Sequence, residues 1–314
     1  MKRTLIALTV LSLAAADARA AEIFEKVGTF DGQFLKIGIG ARAAGMGGAF
    51  VAISDDPTAV FWNPSGIARL NEEETNVQVN HLTWPADVAV DQAVLAFKIG
   101  KIPGLWAINA RSLTIDDQPV RDSFRPDGTG VYFDAGYTSF GATYARSFTD
   151  KFSAGGTVNY VKMGLAEFKQ ETITFDLGTL YDVGVAGMKI GFAIQSIGGQ
   201  VQFIDREARV PTVFRVGTSA DLINSGPSKL LGSFEFSHPP DNAERANVGA
   251  EYSYKDYLFL RSGMNLNYDS EGFAAGAGVR FPISSIKTNA NFDYAYTDMK
   301  TLGSAHRFSL RVRF

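Results

Sequence analysis

Asp55 and Asp56 are neighbouring carboxylates, and carboxylate oxygens suit a hard cation such as calcium. The same pair has a plainer, structural use, which we favour. Asp56 precedes Pro57, the pattern of an N-cap followed by a first-turn proline, and Asp55 is then free to pair with a lumen arginine. Gly38, Gly40 and Gly45 have a superficial likeness to a dinucleotide fingerprint. Their spacing is wrong, no adequate buried strand precedes them and no long helix follows. His81, His238 and His306 are the only histidines, widely separated and outside any zinc-binding array. Ser65 lacks the glycine two residues earlier that a nucleophile elbow needs. No catalytic residue, cofactor or metal centre is indicated, and the chain reads as non-enzymatic. A formal net charge of −3 over 314 residues implies no nucleic-acid partner.

The elements that position these residues are strands. The last residues, Phe308 to Phe314, put Phe308, Leu310, Val312 and Phe314 on one face and Ser309, Arg311 and Arg313 on the other. An apolar outer face over a polar inner one, ending on an aromatic, is the pattern of a strand between lipid and water. Those four apolar residues are the expected membrane-insertion signal. The same period of two recurs from about Asn76 onward, as in Phe152, Ala154, Val158 and Tyr160, or Phe273, Ala275, Ala277, Val279 and Phe281. Hydrophobic residues make up 46 % of the chain, yet after the first twenty no run of eighteen apolar residues exists to form a membrane helix. Cysteine is absent, so neither disulfides nor a lipoprotein acylation site contribute.

About fourteen such strands of roughly ten residues predict an all-β fold, a closed antiparallel outer-membrane β-barrel with an N-terminal lumenal plug of short helical turns. Short links should lie at the periplasmic rim and longer ones, notably Asp116 to Ala135 and Ile197 to Ala208, at the outer rim. The link Asp221 to Ser228 is an exception, long for the short-turn rim. Inward positions include Arg215, Glu235, Asn247, Glu251, Arg261, Asp293, Arg307, Arg311 and Arg313, a mixed-charge interior expected to hold water or a plug. Trp84, Trp106, Tyr137 and Tyr268, among other aromatics near strand ends, are expected to form an interfacial girdle.

Three segments follow. Residues 1–20 read as a signal peptide, with Lys2 and Arg3, an apolar run, and Ala18-Arg19-Ala20 as a cleavage site. Residues 21–72 form the plug, or hatch, and 73–314 the barrel. The leader and barrel together place the chain in the outer membrane of a Gram-negative-type envelope, in contact with outer-membrane lipid and the barrel-assembly machinery. Within the plug, Asn63-Pro64 repeats the capping signature of Asp56-Pro57, and the glycines allow close packing on a wall.

The string from Ala41 to Ala52 (Ala-Arg-Ala-Ala-Gly-Met-Gly-Gly-Ala-Phe-Val-Ala), with Asp55-Asp56 and Trp62-Asn63-Pro64-Ser65-Gly66, resembles the PorV/PorQ family. Those proteins belong to the broader FadL-like fold of long-chain fatty-acid transporters. The resemblance implies that Arg42, Gly45, Gly47, Gly48, Asp55, Asp56, Asn63, Pro64 and Gly66 form a hatch motif inside a fourteen-stranded barrel. It also implies a component linked to type IX protein secretion or surface attachment of cargo, with secretion components and cargo as partners. The alternative is a FadL-type channel for hydrophobic small molecules. A pocket for such a molecule would need inward apolar residues gathered in space.

Overall fold

Period-two patterning makes each strand two-faced, and a sheet whose outer face is apolar throughout has its unpaired edges satisfied only by closing on itself. The computed structural model describes residues 29–202, 207–283 and 288–314; the expected signal peptide and the first residues of the plug lie outside them. The strands are β1 (Asn76–Trp84), β2 (Val88–Phe97), β3 (Leu105–Pro119), β4 (Tyr132–Ser147), β5 (Phe152–Leu165), β6 (Phe168–Asp182), β7 (Lys189–Ile197), β8 (Gln200–Gln202) and β9 (Glu207–Arg209). They continue as β10 (Val213–Ser225), β11 (Ser228–His238), β12 (Arg245–Tyr254), β13 (Leu258–Leu266), β14 (Phe273–Ile283), β15 (Thr288–Asp298) and β16 (Ser304–Arg313). All but β8 and β9 pair in one closed antiparallel barrel of fourteen strands, and β1 seals against β16 from Asn76↔Arg313 to Thr83↔His306. The pair β8–β9 is a small hairpin within the 198–212 connection.

Outward positions are apolar as the alternation requires. On β12, Val248, Tyr252 and Tyr254 are exposed while Asn247, Gly249, Glu251 and Ser253 are buried inside. Phe292, Phe308 and Leu310 continue this outer face on β15 and β16. The two longest connections, 120–131 and 198–212, share one rim, which identifies it as the outer one. The exception foreseen at Asp221–Ser228 is not found. β10 and β11 run on through those residues to a Gly226-Pro227 turn, with a bulge between Asp221 and Ile223. The Asp116–Ala135 link shortens in the same way, because β3 and β4 project beyond the rim.

The hatch threads the barrel from end to end. At the outer rim Phe30 bridges to Arg209, and at the other Thr75 exchanges backbone hydrogen bonds with Phe314 (2.9 and 3.1 Å). Between them lie a 3₁₀ turn (Gln33–Lys36), the five-residue helix α1 (Ala41–Gly45) and two further 3₁₀ turns, Pro57–Phe61 and Pro64–Arg69. The last two start as their capping residues dictate: Asp56 accepts from the Thr58 amide (2.9 Å) and Asn63 from the Ser65 amide (3.3 Å).

The outward assignment is tested at Ala277, which is exposed on β14 between Leu260 and Tyr294. Ala277→Lys should cost about 2–4 kcal/mol if the site lies near mid-bilayer, measured by denaturant unfolding in lipid vesicles, while Phe314 deletion should lower the amount assembled in cells. Undiminished stability and assembly would contradict the two-faced wall and the terminal insertion signal.

Candidate functional site

The lumen contains three layers, and the middle one is where hatch and wall lock together. Glycines at inward positions of the wall let the hatch backbone lie directly on strand backbone. A Cβ on Gly263 would stand 2.2 Å from the Gly47 amide nitrogen, and one on Gly191 2.3 Å from the Val51 carbonyl oxygen. Gly45 packs on Gly276, and Gly66 lies so near Ser54 that a Cβ would meet its carbonyl oxygen at 1.8 Å. Pro64 covers Gly155, and Gly48 sits between Trp62 and Asn247.

Polar side chains pin this contact. Arg42, on α1, makes a bidentate pair with Glu251 of β12 (2.8 Å for both contacts), and its Nη1 also reaches Asp55 and, at 3.4 Å, Asp56. Glu251 and Asp293 are in turn held by Arg261 of β13, each at 2.6 Å. Glu235, fully buried, accepts the Phe50 and Val51 amides (2.9 and 2.8 Å) and the Arg215 guanidinium (2.7 Å). Asn63 donates to the Val51 carbonyl (2.8 Å) and to the Thr179 carbonyl of β6 (3.0 Å), and Asn247 donates to the Gly47 carbonyl (2.6 Å).

The motif residues thus come together, and the lumen arginine that Asp55 meets is Arg42 of the hatch itself. That guanidinium occupies the place a cation would take between Asp55 and Asp56, so the pair is committed to the hatch. Burial alone would raise the Asp55 carboxyl, but Arg42, followed by Lys189, holds it below the usual carboxylate range. Burial acts on Arg42 in the opposite direction to Asp55 and Glu251, whose charges win and raise it.

The outer layer is apolar, which the sequence analysis did not anticipate. Inward-facing Leu82 (β1), Val90 (β2), Leu113 (β3), Val161 and Met163 (β5) surround Phe34 of the hatch, which stacks on Tyr137 of β4 at 4.6 Å between ring centroids. Trp84 and Tyr137, expected in the lipid girdle, line this chamber instead. Both fall on the inward parity of their strands, and the Arg307 guanidinium packs over the Trp84 ring. Tyr268 also faces inward, hydrogen-bonded to Asn247. Trp106 keeps its outward place against Tyr144. Beneath the chamber Arg111 lies between the Phe34 and Phe61 rings and donates to the Phe34 carbonyl (3.3 Å). Extending the parity of Asn80 along β1 places Leu82 and Trp84 inside, so part of the chamber has a sequence signal. Phe34, outside every motif, has none.

The inner layer, between hatch and periplasmic rim, is a cavity of about 510 Å³ lined by charged groups of both signs.

No protein-family model and no curated protein matches this sequence. Solved structures match its shape. The CymD monoaromatic hydrocarbon channel superposes with a TM-score of 0.60 at 12 % identity, over 88 % of this chain and 96 % of that one. The toluene transporter TodX of Pseudomonas putida gives 0.59 at 12 % identity, over 91 % and 98 %. The toluene transporter TbuX of Ralstonia pickettii gives 0.57 at 15 %, over 88 % and 97 %. The likeness is one of fold and does not extend to the PorV/PorQ assignment.

Removing Arg42 leaves Glu251 with one cation instead of two, so Arg42→Ala should destabilise the protein by about 3–5 kcal/mol. A carboxyl depressed in the folded state contributes fully above its unfolded pKa and loses that contribution as pH falls through the folded value. Asp55 therefore supports hatch docking above about pH 4 and ceases to do so in more acid solution. Acid titration followed by Trp62 fluorescence should show a component missing in Asp55→Asn; identical profiles would contradict the pairing. By its shape, the protein has the FadL-like fold, a fourteen-stranded outer-membrane β-barrel with its hatch inside.

Proposed function

We propose that this barrel takes up a small apolar molecule from the outer side, binding it in the chamber now filled by Phe34. The observation that carries this reading is the gathering of inward apolar side chains from five strands around one hatch residue, Phe34. Inward apolar surface facing water would be costly, and a removable hatch side chain covers it until a ligand replaces it. Three structures of the same fold bear names of monoaromatic hydrocarbon or toluene channels, which supports a ligand of that class here. The charged layer beneath the chamber does not admit an apolar molecule as it stands, so transfer inward requires the hatch to shift.

The motif resemblance supports a second reading, in which the outer loops meet secreted cargo or type IX components. The feature in its favour is Phe124, 95 % exposed at the tip of the β3–β4 extension. Asp122 fixes that turn by accepting the Phe124 and Arg125 amides (2.9 and 2.8 Å) and pairing with the Arg125 side chain.

Toluene binding to the purified protein separates the two. Phe34→Ala leaves an apolar hole of the kind that admits benzene-sized molecules, and should tighten toluene binding about tenfold, equivalent to about 1.4 kcal/mol. Leu113→Asp should abolish it. A protein that binds no toluene in either form, yet co-purifies with secreted proteins, would overturn the uptake reading in favour of the second.

A further inference from the structure

The cavity between hatch and periplasmic rim is large enough for a metabolite-sized molecule, and its charges are not evenly mixed. Cations outnumber carboxylates by one in its lining, but the pairing separates them sharply. Asp55, Glu251 and Asp293 are taken up by Arg42 and Arg261, and Asp256 by Lys229 at 3.2 Å. Among the charges outside these pairs, three arginines stand together on one side, Arg280 of β14 with Arg311 and Arg313 of β16.

Register puts these three side chains on one face. Asn291 of β15 pairs with Arg280 on one side and Arg311 on the other, so all three side chains face the lumen in one row. Arg313 follows two residues along the same face of β16. Among the described residues, Arg311 has no hydrogen bond or ion pair, and its Nε is buried and unpartnered. The Nε of Arg313 is likewise unpartnered, and the one carboxylate near Arg313, on Glu74, stands at 3.9 Å. Arg280 makes one long contact, 3.4 Å to the Asn291 side-chain oxygen, and packs over the Phe259 ring.

Three guanidiniums in so small a space repel one another, and among the described residues none of them makes a close hydrogen-bonded pair with a carboxylate. Guanidinium forks suit the oxygens of phosphate and carboxylate groups. Water in the cavity solvates such a cluster but does not neutralise it. We propose that the Arg280–Arg311–Arg313 cluster is an oxyanion-binding site, open to the periplasmic side and selective for a phosphate group. That group is carried either by a small phosphorylated solute or by the headgroup of an anionic lipid at the rim. Three donor forks on one face offer more N–H groups than the two oxygens of a carboxylate can meet, and a phosphate has more oxygens to accept them. The site is separate from the outer apolar chamber and does not depend on the uptake reading.

Glycerol 3-phosphate titrated into the full-length protein in phosphatidylcholine nanodiscs provides the test, read by calorimetry. Binding should be saturable and weaken at least tenfold in Arg311→Gln and in Arg280→Gln. It should persist in Arg311→Lys better than in Arg311→Gln. Folding of every variant is checked by heat-dependent mobility on gels, and the two separate Gln variants guard against failure of one. Repeating the titration with phosphatidylglycerol in the disc identifies the source. Loss of glycerol 3-phosphate binding there assigns the site to a lipid headgroup, and undiminished binding assigns it to a soluble phosphate. Absence of binding to the wild-type protein in phosphatidylcholine, or equal binding by both Gln variants, would overturn the proposal. Acetate binding as tightly as glycerol 3-phosphate would overturn the selectivity for phosphate.

Discussion

Backbone-to-backbone contact between hatch and wall is the constraint from which the interior follows. Gly47 on Gly263 and Val51 on Gly191 bring two main chains closer than any side chain permits. At that separation each polar main-chain group of the hatch needs a partner in the wall, because water has no room to supply one. Glu235 serves the Phe50 and Val51 amides, Asn247 the Gly47 carbonyl, and Asn63 spans from Val51 to β6. The ion pairs of Arg42 and Arg261 add the charge balance that lets Glu251 and Asp293 remain inside. Such buried pairs gain little net stability over apolar packing, but breaking one is costly. Their effect is to fix one seating of the hatch rather than to hold it tightly in several.

That seating divides the lumen into unlike compartments. Above it Phe34 fills an apolar chamber; below it lies a cavity lined by charged groups, beside a second apolar cluster where Val60, Ile67 and Leu70 of the hatch pack on Val94 and Leu105. An apolar solute is favoured in the chamber and disfavoured in the charged cavity, so the locked layer acts as a polarity barrier as well as a physical one. Arg111 stands at the boundary, its guanidinium between two hatch rings and its donors on the hatch carbonyls, with Phe34 and Phe61 covering it from both sides. Movement of Phe34 would therefore uncover a charge as well as an apolar surface.

The barrel was legible in the sequence because a strand's two faces need only local alternation. β1 starts at Asn76, where the alternation was expected to begin, and β14 contains the whole alternating run from Phe273 to Phe281. Turn residues were equally local: Asp56-Pro57 and Asn63-Pro64 cap the 3₁₀ turns that their side chains predict. What escaped was long-range. Trp84 and Tyr137 were assigned to the girdle by nearness to strand ends, whereas parity puts them inside, and parity decides. The partner of Asp55 depended on how α1 is turned against the wall, which no spacing specifies. The wall glycines were visible at inward positions, but only the hatch lying upon them gives their absence of side chain a meaning. Phe34 acquires its role solely from the five strands that surround it.

A hatch locked onto the wall at Gly263 and Gly191 blocks a continuous aqueous path through the described part of the barrel. Single-channel recording in planar lipid bilayers is the most direct test. The intact protein should give a conductance near baseline. A large, steady ohmic conductance of the kind given by an open porin would contradict it.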